Sequence, residues 1–159
     1  MSAPIKEAET AVNKYLLSDE DQLYVDLGVL KKANDPLSDS YDPSVGSSYE
    51  PDIAYDETQM GPLDFLRDLG KKFFDRIRPM AYELICGTDP DSKKQREDIL
   101  KSFGVSDAKA AITSGLVVIL MSNLGLAAAI AAVMAALIVK LFFKPAYAEF
   151  CEALKPEEK

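Results

Sequence analysis

At 159 residues, 48% of them apolar and 28% charged, the chain has the length of one domain and enough apolar content to build a core. It holds no histidine and two cysteines, which removes the Ser-His and Cys-His nucleophile pairs, the commonest acid-base group near neutral pH and the usual zinc ligand. The net charge of -8 is unevenly placed: residues 1–60 carry 13 acids and 4 bases, residues 61–159 carry 13 acids and 14 bases. The acidic half repels a polyanion, so bulk nucleic-acid binding is not expected.

Ser2 to Leu17 reads as an amphipathic helix, with Pro4 in its first turn and Ile5, Ala8, Val12, Tyr15 and Leu16 on one stripe. Glu7 and Glu9 interrupt it, so it is not a signal peptide. The expected compartment is a reducing cytoplasm, with Cys86 and Cys151 as free thiols. Ser18 with Asp21 resembles a helix cap, and Leu23, Leu27 and Leu30 then fall on one helical face. Leu23, Val25, Leu27 and Val29 also alternate as a strand would; helix is preferred. These elements make an N-terminal segment over residues 1–33.

Residues 34–62 are rich in Pro, Ser, Asp and Gly and offer no hydrophobic face, so they read as an acidic linker or binding segment. Residues 63–109 are the charged amphipathic part. Leu63, Leu66, Phe73, Phe74, Ile77, Met80 and Leu84 form an apolar stripe, Pro79 predicts a kink, and Gly87 ends the helix. A shorter polar helix follows over Ser92–Phe103, closed by Gly104, and Ser106 is placed to cap the next one.

The chain is organised around residues 110–143, where 34 consecutive residues carry one formal charge, Lys140. That exceeds the run of about eighteen apolar residues that marks a membrane span. The Ser122-Asn123-Leu124-Gly125 sequence reads as a turn between two arms, Ala110–Met121 and Leu126–Phe143. Small residues recur at four-residue spacing, Ala111 and Gly115 on one arm and Ala128, Ala132 and Ala136 on the other. Such faces allow close helix association in lipid, and equally in a soluble bundle. Basic residues flank the stretch on both sides, which fits a hairpin with both ends in the cytoplasm. Residues 144–159 resume a helix after Pro145.

Two sets of residues are candidates for function. Thr113, Ser114, Ser122, Asn123 and Lys140 are the polar groups of the apolar stretch, and in a membrane such groups face a bundle interior or a water-filled path. In a soluble hairpin Ser122 and Asn123 are the turn and Lys140 snorkels. Lys71, Lys72, Arg76 and Arg78, with Lys93, Lys94 and Arg96, offer cations for a phosphorylated ligand such as a short oligonucleotide, a nucleotide signal or a lipid head group. Without a phosphate-cradling loop, a metal-ligand spacing or a catalytic constellation, no enzyme, cofactor or metal is expected.

The Ala-rich segment ending in LIVKLFFKPAYAEFCEAL, behind a charged region, resembles small membrane effectors of bacterial anti-phage defence, including the Hailong-type channel component. The resemblance implies a homo-oligomer in the inner membrane with cytoplasmic termini, a path near Asn123, and a basic cluster that reads a nucleotide signal. The fold expected is mainly α: amphipathic helices plus an Ala-rich apolar helical hairpin, assembled as a homo-oligomer. The competing expectation is a cytoplasmic oligomerisation or partner-binding module with the hairpin as its core.

Overall fold

The computed structural model describes residues 11–33, 62–88, 90–105 and 107–156. Among these residues the protein is helical, without a strand. Residues 11–16 form α1, followed by α2 (Glu20–Ala33), α3 (Leu63–Cys86), a 3-10 turn (Pro90–Ser92), α4 (Lys93–Ser102), α5 (Ala108–Leu124), α6 (Ala128–Phe142) and α7 (Tyr147–Leu154). The fold is mainly α. The first residues of the expected N-terminal helix, the 34–62 segment up to Pro62, and Ser106 with its proposed cap lie outside the described residues.

Leu23 to Leu30 are helical. Asp19, not Ser18, opens α2: its Oδ1 accepts the Asp21 N–H at 3.2 Å, while the Ser18 hydroxyl turns back to donate to the Lys14 carbonyl at 3.2 Å. The first turn of α2 carries Glu20 and Asp21 and the last carries Lys31 and Lys32, each sign at the end where the helix dipole favours it. In α3 the buried stripe is Leu66, Phe73, Phe74, Ile77 and Leu84, as the spacing predicts, together with Gly70, Ala81 and Ile85. Leu63 and Met80 do not join it and are 51% and 40% exposed. Pro79 lies inside α3 without ending it.

The helices α2 and α3 cross backbone to backbone. A methyl group added to Gly28 would overlap the Leu66 carbonyl, and one added to Gly70 would overlap the Tyr24 carbonyl. No larger residue fits at either point, so these two glycines set the distance between the helices. They give up helix propensity, about 1 kcal/mol each relative to alanine, in exchange for that approach.

Beneath α2 lies α6. Its residues from Ala128 to Val139 are buried without interruption, so no polar stripe breaks its circumference. α6 packs against α5, α2 and α7, and Ala11, Val12 and Tyr15 of α1 belong to the same core. α4 covers α5, with Ile99 buried. The hairpin turn falls later than the sequence suggests. α5 continues through Ser122, Asn123 and Leu124 and stops at Gly125, whose φ of 65° is the left-handed value that ends helices. Asn123 stays helical because its side-chain amide donates back to the Ile119 carbonyl at 2.9 Å.

Cys86 and Cys151 are not free thiols. They form a disulfide with Cα atoms 5.8 Å apart, joining the end of α3 to α7 across 65 residues of sequence. The closed loop contains α4, α5 and α6. The Tyr147 hydroxyl donates to the Ile85 carbonyl beside it, and Arg78 completes the seam between α3 and α7. Its guanidinium donates to the carbonyls of Leu154, Ala153 and Lys155 at 2.9, 3.1 and 3.0 Å, and it stacks 4.3 Å from the Phe142 ring centroid. The last carbonyls of α7 thus find in Arg78 the donors that the helix itself cannot supply.

Candidate functional site

The first candidate site is the apolar hairpin itself. α5 has 17 residues and α6 has 15, which at about 1.5 Å per residue reach roughly 26 and 22 Å, short of a hydrocarbon core of about 30 Å. Among the described residues no single helix is long and apolar enough to cross a membrane. α6 and α7 together have the composition, but they are bent by 105°. The two arms differ in cover. α6 is enclosed on every side, whereas α5 leaves Val118 54% exposed. The small residues Ala128, Ala132 and Ala136 are all spent on contacts within the chain.

The polar residues of this stretch do not gather at one place. Thr113 is fully buried and donates to the Lys109 carbonyl one turn earlier at 2.6 Å, so its hydroxyl is satisfied within its own helix. Ser114 is half-buried on α5, and Ser122 is exposed near its end. Asn123 is exposed and also donates to the Gln95 side-chain carbonyl of α4 at 2.7 Å. Lys140 lies at the other end of the hairpin. Its ammonium donates to the Leu16 carbonyl at 2.9 Å, placing a cation at the C-terminus of α1. A small cavity of about 160 Å³ opens there between Leu16, Glu20, Lys109, Val139 and Lys140. Among the described residues every buried side-chain nitrogen or oxygen has a hydrogen-bond partner.

The seven basic candidates separate into four groups. Arg78 is committed to the end of α7. Lys71 sits 5.4 Å from the Tyr24 ring centroid, on the flank of α3 where the N-terminal half of α2 crosses. Lys72 and Arg76 are exposed on the opposite flank, since 3.6 residues per turn turns successive positions by about 100°. Burial pushes the Tyr24 phenol above its ordinary value, and Asp75 and Glu20 add to that push, which marks the Lys71 flank as the acidic one.

Lys93, Lys94 and Arg96 are carried by α4. Lys93 and Arg96 line an open cleft of about 450 Å³ with Glu97, Leu100 and Tyr147. Arg96 is half-buried and already donates to Ser92 Oγ at 3.0 Å and the Leu84 carbonyl at 3.4 Å. Burial raises the Tyr147 phenol against the pull of Arg96. With Glu97 on the rim and much of its wall apolar, this cleft is a poor match for a highly charged phosphate ligand. Among the described residues no group of three or more acids or cysteines is placed to hold a metal ion.

Sequence reasoning missed Lys31 and Lys32, whose ammonium groups lie 5.1 Å from the Phe73 and 5.2 Å from the Phe65 ring centroids. The one signal was their position in the last turn of an amphipathic helix. It also missed Gln95, which shares no pattern with Asn123. Compared with protein-family models, curated proteins and solved structures, the chain matches none.

Proposed function

We propose that this chain is a membrane-directed effector in its closed form, with the α5–α6 hairpin stored as the core and released into lipid when α2 and α3 move aside. The observation that supports the reading is α6. A helix apolar around its whole circumference suits a large protein interior or a bilayer, and here α6 is buried on every side from Ala128 to Val139. Part of its cover is α2, which α3 holds in place from outside.

Release would free Ala128, Ala132 and Ala136 to pack against other copies, so homo-oligomers would form after opening. Because both arms are shorter than the bilayer core, insertion would thin the bilayer locally or drive association. Either route leads to a conductive or leaky membrane, the outcome implied by the likeness to anti-phage effectors. The experiment is to mix the purified protein with dye-loaded phosphatidylglycerol vesicles, follow release, and wash the vesicles with alkaline carbonate. Dye release with protein retained after the wash is the expected result.

A second reading has its own support. The Lys140 bond to Leu16 and, among the described residues, the pairing of every buried polar side chain suit a helical oligomerisation or partner-binding module. Intact vesicles and full recovery of the protein in the carbonate supernatant would favour this one.

A further inference from the structure

The crossing of α2 over α3 sorts charge across the outer surface of the pair. Arg67 on one flank of α3 reaches Asp21 of α2 at 3.8 Å and is bonded to Asp64, and Lys71 on that flank meets Tyr24. The N-terminal half of α2, with Glu20 and Asp21, therefore lies on the flank that also carries Asp64 and Asp75 of α3. The C-terminal half crosses to the other flank, where Lys31 lies over Phe73 and Lys32 over Phe65. Phe65, Leu69, Lys72, Arg76 and Met80 follow one another there at helical spacing. Phe65 and Met80 are 49% and 40% exposed, and Lys72 and Arg76 are exposed between them. Two acids adjoin this row, Asp68 one turn before Lys72 and Glu83 at the far end.

Exposed aromatic and aliphatic side chains interleaved with four cations are chemically complementary to an anionic lipid surface. The Phe65 ring and Met80 reach below the head groups while the ammonium and guanidinium groups stay at phosphate level. We infer that this flank, Lys31, Lys32, Phe65, Lys72, Arg76 and Met80, is the face by which the closed protein docks on an anionic bilayer. A chain with a net charge of -8 approaches such a surface only if its charge is sorted, and the α2–α3 crossing sorts it. The inference deepens the proposed function by naming the membrane partner, and rests on that reading only for the insertion step that comes after docking.

The test is co-sedimentation of the full chain with vesicles of pure phosphatidylcholine and of phosphatidylcholine with phosphatidylglycerol, at low and high salt. Binding is expected only with phosphatidylglycerol and should weaken with salt. At about 1 kcal/mol per basic residue near the surface, Lys72→Gln with Arg76→Gln lowers partitioning about thirtyfold. Phe65→Ser weakens it without changing the salt dependence. Asp75→Asn, on the acidic flank, leaves binding unchanged or stronger. Each replaced side chain is exposed or partly so, and an unaltered thermal melt confirms the fold.

Equal binding to both vesicle types overturns the inference, and so does Lys72→Gln/Arg76→Gln binding like the parent. Capture of a short single-stranded oligonucleotide by the same residues with no vesicle binding also overturns it, in favour of a nucleic-acid ligand. Docking without dye release keeps this face and removes hairpin release. Dye release that ignores Lys72 and Arg76 keeps hairpin release and removes this face.

Discussion

The α2–α3 pair and the α5–α6 hairpin are both close helix contacts, but they are held by different physics. In α2–α3 two glycines bring backbone against backbone, and the contact exists at one spacing only. In the hairpin α6 buries many small and branched side chains of its own, so the contact is spread over its whole length. Burial by area tolerates rearrangement, while a glycine crossing does not. A cover that fails sharply over a core that is apolar in any setting is the arrangement that storage and release of a hairpin would require.

Removing the disulfide is expected to have the largest effect. It closes a loop of 65 residues around the hairpin, and the chain-entropy relation assigns such a loop about 4 kcal/mol. Cys86→Ser with Cys151→Ser should lower the urea midpoint accordingly. If the two states separate at this seam, the variant should also release vesicle dye faster than the parent. Next comes the crossing itself. Gly70→Val forces a branched side chain against the Tyr24 carbonyl, at a cost of about 3 kcal/mol, and should expose apolar surface to a dye such as ANS. An unchanged urea midpoint would mean that α2 and α3 are not in fixed contact.

Arg78→Ala removes three carbonyl contacts and a ring contact and should cost about 2 kcal/mol. Arg76→Ala, two residues away and exposed, should stay within about 0.5 kcal/mol. The contrast separates a seam residue from a docking residue by stability alone. The smallest effect concerns Asp26. Burial raises its carboxyl pKa, against the hydrogen bond from Gln22 and the attraction of Lys14. A carboxylate whose folded pKa is raised costs stability above that pKa, and the cost fades as the pH falls through it. Asp26→Asn should therefore stabilise modestly at neutral pH and not at all below the ordinary carboxylate range, as paired urea titrations at the two pH values would read.

Much of the helical layout was legible because it follows periodicity and punctuation. The stripe from Leu66 to Leu84 and the stop at Gly87 are examples. What escaped depends on contacts between distant residues. Asn123 reads as a turn residue until its amide finds Ile119 and Gln95, and that moves the hairpin turn to Gly125. Gly28 and Gly70 carry no signal in the sequence and prove to be the crossing point. Cys86 and Cys151 have no spacing that signals a bond, since only the folding of the hairpin brings them together. Arg78 reads as one more cation of a basic face, and only the return of α7 gives it carbonyls to hold.

The most direct test of hairpin release uses the fact that the chain has no tryptophan. Leu126→Trp, at the half-buried tip of the hairpin, supplies a single fluorophore for vesicles of brominated phosphatidylglycerol. Stored-hairpin release predicts strong quenching by the brominated chains, in step with dye release. A protein that binds those vesicles while its tryptophan emission stays unquenched would contradict it, and the hairpin would then be a permanent core.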